Sequence, residues 1–247
     1  MAHLVCDFDT GDVLEAEGDV DARFSPCSSF KVLIALMGYD SGILKDEASP
    51  VWDYKPEYDP HCLMMLDTWK RPYTPQIWMQ NSCVWYSQCV TRELGMERFQ
   101  QYVDTFGYGN RDLSGGILRA WLTTSLAISP REQAEFFRRM LAGELPVSAQ
   151  AVAMTKRLVA SGDCAGGSLF GKTGSGYIDL EKGLQRGWYA GWLEKGGRKY
   201  LFAALRDHSG PGYAGLQAKE FMRGVLERLT SGQRETDVRK AAAGTIS

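Results

Sequence analysis

The stretch WYAGWLEKGGRKYLFAALR, residues 188–206, decides how the rest of the chain is read. Trp188 to Glu194 and Tyr200 to Arg206 are apolar runs with aromatic residues. The segment Lys195-Gly196-Gly197-Arg198-Lys199 joins them, which is the signature of a β-hairpin. Working outward, Ser168 to Ser175 reads as a preceding strand. Residues 214–230 read as a final amphipathic helix, with a polar, frayed tail from Ser231. At the other end of the chain, His3 to Phe8 and Val13 to Ala16 flank the turn-rich tetrad Asp9-Thr10-Gly11-Asp12, a second hairpin.

Between these ends the pattern is helical. Pro26 opens an apolar helix through about Met37, stopped by Gly38. Residues 45–80 look irregular and rich in Pro and aromatics. Helices are expected over Ser82 to Glu93, Met96 to Phe106 and 148–160. Ser129-Pro130-Arg131-Glu132 is a capping box with proline at the first helical position, so a helix should run to about Leu141. The order strands, helices, strands, helix predicts an α+β fold in which both hairpins join one antiparallel β-sheet flanked by helices, with an inserted helical lobe. Residues 1–25 and 165–247 would form the sheet lobe and residues 26–164 the helical lobe, with a cleft between them as the natural site.

Composition narrows the function. Of 247 residues, 28 are basic and 30 acidic, a net charge of −2, with 44% hydrophobic and 23% charged. Such a chain buries roughly 70–75% of its unfolded surface, enough for a large core. Near-neutral charge with no basic run offers nothing to nucleic acid or an anionic membrane. No apolar stretch approaches the roughly 20 residues needed to span a bilayer. The start, Met1 to Asp7, lacks a charged region followed by an apolar one. It suits either a cytoplasmic protein or one whose signal peptide has been removed. Six cysteines (Cys6, Cys27, Cys62, Cys83, Cys89, Cys164) are too few for a disulfide scaffold, though one disulfide could form. With no CxxC and only His3, His61 and His208, ligand spacing for a metal is absent.

Two short constellations carry chemistry. In Ser28-Ser29-Phe30-Lys31, the serine and lysine lie three apart and share a helix face. A serine hydroxyl needs an adjacent base, and an amine serves as one only where burial or a neighbouring charge lowers its pKa. Phe30, Val32, Leu33 and Ile34 supply an apolar wall for that. Alone, S-x-x-K occurs by chance about once in a chain of this length, as a helix start with a solvated lysine. In Lys172-Thr173-Gly174, a strand bounded by glycines sets an ammonium and a hydroxyl side by side, a suitable seat for a carboxylate. An edge strand with a solvated lysine would read the same.

Taken in order, these motifs carry more than either alone. Ser28-Ser29-Phe30-Lys31, Ser82-Cys83-Val84, Tyr108-Gly109-Asn110, Lys172-Thr173-Gly174 and Gly187-Trp188-Tyr189-Ala190-Gly191-Trp192 together resemble the class D, oxacillinase-type serine β-lactamases. The likeness runs from about residue 5 to 230. It implies the fold of serine β-lactamases and penicillin-binding transpeptidases, and hydrolysis of β-lactam antibiotics through an acyl-enzyme. Ser28 would be the nucleophile and Lys31, carboxylated by carbon dioxide, the general base for both half-reactions. Ser82 would relay a proton to the leaving nitrogen, tuned by Lys172. Thr173, Gly174 and Ser175 would bind substrate, and the backbone N–H groups of Ser28 and Ser175 would form the oxyanion hole. Val84, Trp121 and Leu122 would enclose the lysine, with the Trp121 indole donating to the carbamate.

Beyond that carbamate on Lys31, the resemblance implies no cofactor and no metal. It implies small β-lactam partners only, a monomer or homodimer, and export to the periplasm. Tyr108-Gly109-Asn110 reads as structural. The chain departs from the family where an arginine usually clamps the substrate carboxylate after the last strand: none matches, and Gln217 stands nearest. The segment Tyr177 to Arg186 reads as a long polar loop able to roof the cleft. Two competing readings share the motifs: a penicillin sensor acylated once, and a transpeptidase or carboxypeptidase of cell-wall peptides.

Overall fold

A computed structural model describes residues 1–61 and 65–243. Cys62 lies outside the described residues. The chain begins with β1 (Ala2–Asp7) and β2 (Val13–Glu17), followed by a 3-10 turn at Cys27–Phe30 that leads directly into α1 (Lys31–Asp40). Then come α2 (Pro75–Asn81), α3 (Val84–Leu94), α4 (Met96–Phe106), α5 (Pro130–Leu141) and α6 (Ala149–Leu158). The C-terminal part holds β3 (Ala160–Cys164), β4 (Gly167–Asp179), β5 (Leu184–Lys195), β6 (Arg198–His208) and α7 (Ala214–Ala243).

All six strands form one antiparallel sheet in the order β2-β1-β6-β5-β4-β3, so the two hairpins meet where β1 pairs with β6. The 188–206 segment supplies the sheet's centre, with Trp188 opposite Leu205 and Lys195 opposite Arg198. Trp188–Leu193 and Tyr200–Leu205 carry no charged side chain and are apolar at consecutive rather than alternate positions because both faces of the sheet are covered. In β6, Leu201, Ala203 and Leu205 join one core with α5 and the helices. Tyr200, Phe202 and Ala204 join a second core under α7. A strand's period of two sends these sets to opposite faces.

α1 is the core helix of the other layer. Every residue from Lys31 to Tyr39 is buried, so it has no polar face, and a helix apolar all round is a buried helix. It does not stop at Gly38 as expected. A Cβ there would lie 2.8 Å from Leu44 Cδ1, so glycine serves close packing and the helix runs on to Asp40.

Other expectations also shift. Thr74 caps α2 by accepting from Ile77 N at 3.2 Å, with Pro75 at the first position, inside a region expected to be irregular. β3 follows α6 although Ala-Ser-Gly-Asp-Cys has little strand propensity; pairing with β4 decides it. The segment 177–186 is the tip of the β4–β5 hairpin, not a long loop: β4 reaches Asp179 and β5 starts at Leu184. α7 continues to Ala243, past the expected fraying point, in a segment rich in good helix formers. The α5 capping box forms as expected, with Ser129 and Glu132 exchanging bonds.

Candidate active site

The first Ser–Lys pair is built by local geometry. Cys27 takes a left-handed backbone (φ 49°), which turns the chain sharply into the 3-10 turn, and α1 begins at Lys31. Ser28 and Lys31 then stand one turn apart, Nζ to Oγ 2.9 Å. The turn is locked from behind. Ser29 Oγ donates to Pro26 O at 2.7 Å and accepts from Gln133 Nε2 at 3.0 Å, while Cys27 N donates to Trp121 O at 2.9 Å. Lys31 has no exposed surface, and Ser28 is half-buried and lines the cleft.

The second pair spans 90 residues. Ser82 sits in a left-handed conformation (φ 54°) between α2 and α3, not in the first turn of a helix as expected; Cys83 is the N-cap of α3. Lys172 on β4 reaches across to donate to Ser82 Oγ at 3.1 Å and to Thr173 O at 3.1 Å. Burial, reinforced by the charges of Lys31 and Lys219, pushes the Lys172 amine well below the ordinary lysine value. The two pairs are held together by Gly174: a Cβ there would lie 2.7 Å from Pro26 O and 3.1 Å from Ser28 N, so only glycine lets β4 approach the Ser28 turn this closely.

Both serines, Lys172, Thr173, Gly174 and Ser175 open onto one cavity of about 650 Å³. Val84 and Leu122 line it too. Trp121 is fully buried and stacks on Phe30, ring centroids 5.6 Å apart. Its indole N–H has no hydrogen-bond partner, an arrangement that costs about 1–3 kcal/mol unless an acceptor is supplied. Burial lifts the Cys27 thiol to about 11, so this cysteine beside Ser28 stays protonated and inert at neutral pH. Tyr108 packs edge-on against Phe30, and Asn110 bonds Ala127 N and Ser125 O, which makes this box a brace. Gln217 is exposed and does not line the cavity; Leu216 does. Among the described residues no arginine lines it, and Lys172 is the cationic side chain in the lining.

Several lining residues escaped the sequence reading, among them Trp69, Asn81, Thr123, Tyr213 and Gln185. They come from turns, helix ends and, for Gln185, the start of β5, none of which carries a motif. Among the described residues there is no cluster able to hold a metal, no disulfide, and no helix long and apolar enough to cross a membrane.

A cleft that sets two Ser–Lys pairs between a sheet and a helical layer is the arrangement of penicillin-recognising serine enzymes. Accordingly, residues 1–227 match the family described as penicillin binding protein transpeptidase domain. The chain is 42% identical over 214 residues to β-lactamase OXA-9 of Klebsiella pneumoniae, covering 82% of this chain and 77% of the relative. It is 35% identical over 190 residues to the probable β-lactamase YbxI of Bacillus subtilis, covering 76% and 67% respectively. Its fold superposes on the crystal structure of the class D β-lactamase OXA-427 with a TM-score of 0.85 at 40% identity, over 94% of this chain and 98% of that one. The chain belongs to the class D β-lactamases.

Proposed function

We propose that this enzyme hydrolyses β-lactam antibiotics through an ester formed on Ser28. The observation that carries the reading is the meeting of the two Ser–Lys pairs, Ser28–Lys31 at 2.9 Å and Ser82–Lys172 at 3.1 Å, on one cavity.

Acylation needs a proton removed from Ser28 Oγ, a negative charge stabilised on the lactam oxygen, and a proton delivered to the leaving nitrogen. The Ser28 proton leaves along the short bond to the Lys31 side chain. Oγ attacks the carbonyl carbon, and the oxyanion is placed against the backbone N–H groups of Ser28 and Ser175. The lactam C–N bond breaks and the nitrogen takes the proton of Ser82 Oγ. Lys172 is within 3.1 Å to restore it, and its depressed basicity suits an amine that hands protons on. The substrate carboxylate is met by Thr173 and Lys172. Water then cleaves the ester and returns Ser28 to its hydroxyl form.

The residues around Lys31 fit a carboxylated lysine: the amine is wholly buried, which in general favours the neutral form that carbon dioxide attacks, and Trp121 offers an unpaired N–H. A carbamate there, formed by an N–C bond with loss of a proton, would supply an anionic base. Val84, Leu122 and Trp121 would keep water from it. Because β-lactams act on the cell wall, we place the enzyme in the periplasm, as a monomer or homodimer.

The test mixes pure protein with excess chromogenic β-lactam and follows intact mass. Many turnovers with a transient adduct on Ser28 are expected. One equivalent consumed with a lasting adduct would make the protein a sensor, and cleavage of D-Ala-D-Ala peptides in preference would make it a peptidase. Supplying carbon-13 bicarbonate should give a carbamate resonance in the wild type that vanishes in Lys31→Ala, independently of turnover.

A further inference from the structure

The start of α7 forms part of the cleft wall, and one buried side chain holds it there. Gln185, at the beginning of β5, is 7% exposed and lines the cavity. Its amide bridges the wall reciprocally: Nε2 donates to Gly212 O at 3.2 Å and Oε1 accepts from Ala214 N at 3.2 Å. A second bond, from Gly215 N to Ser175 Oγ at 2.9 Å, ties the same helix end to β4. The approach is too close for side chains. A Cβ on Gly187 would lie 2.0 Å from Ala214 C, and one on Gly215 would lie 2.5 Å from Gly174 O.

What this latch presents to the cleft is apolar. Tyr213 and Leu216 flank the latched residues and both line the cavity, although Leu216 is 54% exposed. Leu180 at the β4–β5 hairpin tip, 73% exposed, lines it as well. Large apolar side chains left in water around one cavity mouth mark a surface that gains by covering an apolar group. Here continuity with the catalytic cavity makes that group part of the substrate.

The geometry points to Gln185 as a positioning residue that fixes Tyr213 and Leu216 as an apolar wall, and through them sets the preference for β-lactams with bulky, uncharged side groups. The specificity half of this inference rests on the proposed β-lactam hydrolysis; the latch itself does not. Without the amide, Gly212 O and Ala214 N lose their partner, the helix end loosens, and the wall no longer presents a fixed surface. Grip on a bulky group weakens while the chemistry at Ser28 is left in place, so the loss falls on KM.

The test compares wild type with Gln185→Met, which keeps side-chain length and removes both bonds. Amide hydrogen exchange at Ala214 and Gly215 should quicken about tenfold or more. KM for a penicillin bearing a large aromatic side group should rise about five- to tenfold, against less than about twofold for one with no side group. Adding Leu216→Ala to Gln185→Met should cost little more than either alone, because both act through one wall. Unchanged exchange, equal losses for both substrates, a loss confined to kcat, or strictly additive variants would each overturn the inference. If Gln185→Met fails to fold, Gln185→Glu, which keeps the acceptor for Ala214 N and loses the donor to Gly212 O, carries the same readouts. If the wild type turns over no β-lactam, the proposed function falls, while the exchange result still decides the role of Gln185.

Discussion

The two Ser–Lys pairs of the cleft are alike in chemistry and opposite in origin. Ser28 and Lys31 are three residues apart on one helical face, 2.9 Å between functional atoms. Their meeting follows from helix periodicity once the turn at Pro26 is made. Ser82 and Lys172 meet at 3.1 Å only because a strand from the far end of the chain docks on a junction between two helices. The first pair should survive any disturbance that leaves α1 folded. The second depends on how the sheet and the helical layer are seated, and the glycine at 174 sets that seating.

The sharpest test removes the proposed nucleophile. Ser28→Ala should fold normally and lower turnover of a chromogenic β-lactam roughly ten-thousand-fold, with no covalent adduct by mass; a persisting adduct would move the nucleophile elsewhere. Next, Lys31→Ala should lower turnover about a thousandfold, with an acyl-enzyme accumulating because deacylation suffers most. Wild-type turnover in that variant would remove Lys31 from the mechanism. Both changes act on the local pair and leave the second intact.

The non-local pair is broken differently. Gly174→Val puts a side chain where 2.7 Å separates the Cβ position from Pro26 O, so β4 must retreat from the Ser28 turn. Turnover should fall about a hundredfold and stability by about 1–3 kcal/mol. The same substitution should leave α1 helical content unchanged by circular dichroism; a loss of helix there would mean the two pairs are not separable. The smallest effect concerns protons. Folding depresses the Lys172 pKa, so the folded state carries a penalty that is complete below the folded pKa and fades as pH rises towards the ordinary lysine value of about 10.5. Lys172→Met should therefore raise the melting temperature by a few degrees at about pH 6, and by less at about pH 10. An advantage that grows with pH would contradict this.

The same contrast explains which parts of the molecule are legible in its sequence. The hairpins, the helix Met96–Phe106 and the capped helix Pro130–Leu141 rest on local signals, and they form as read. α2 carried the same cap-plus-proline signal, Thr74-Pro75, inside an aromatic-rich segment whose composition masked it. The segment 177–186 reads as a long polar loop from its charged and glycine residues; cross-strand pairing makes it a hairpin. Gln217 stands nearest to the family's arginine position in the sequence, but the turn of α7 leaves it exposed and puts Leu216 at the cleft instead. Gln185 had no motif at all, since its significance lies in two backbone groups about 30 residues away.

What the sequence determined by itself was the set of reactive groups and the local turns that aim them: a serine and lysine one helical turn apart, a lysine and threonine on a glycine-flanked strand, and apolar runs dense enough to bury a sheet on both faces. Those follow from periodicities of 3.6 and 2, which need no knowledge of neighbours. The tertiary structure alone decided that Lys172 reaches Ser82, that Trp121 keeps an unpaired N–H, and that Gln185 holds the start of α7 against the cleft. Each depends on close packing between segments distant in the chain, where distances of a few ångströms are set by every side chain in between.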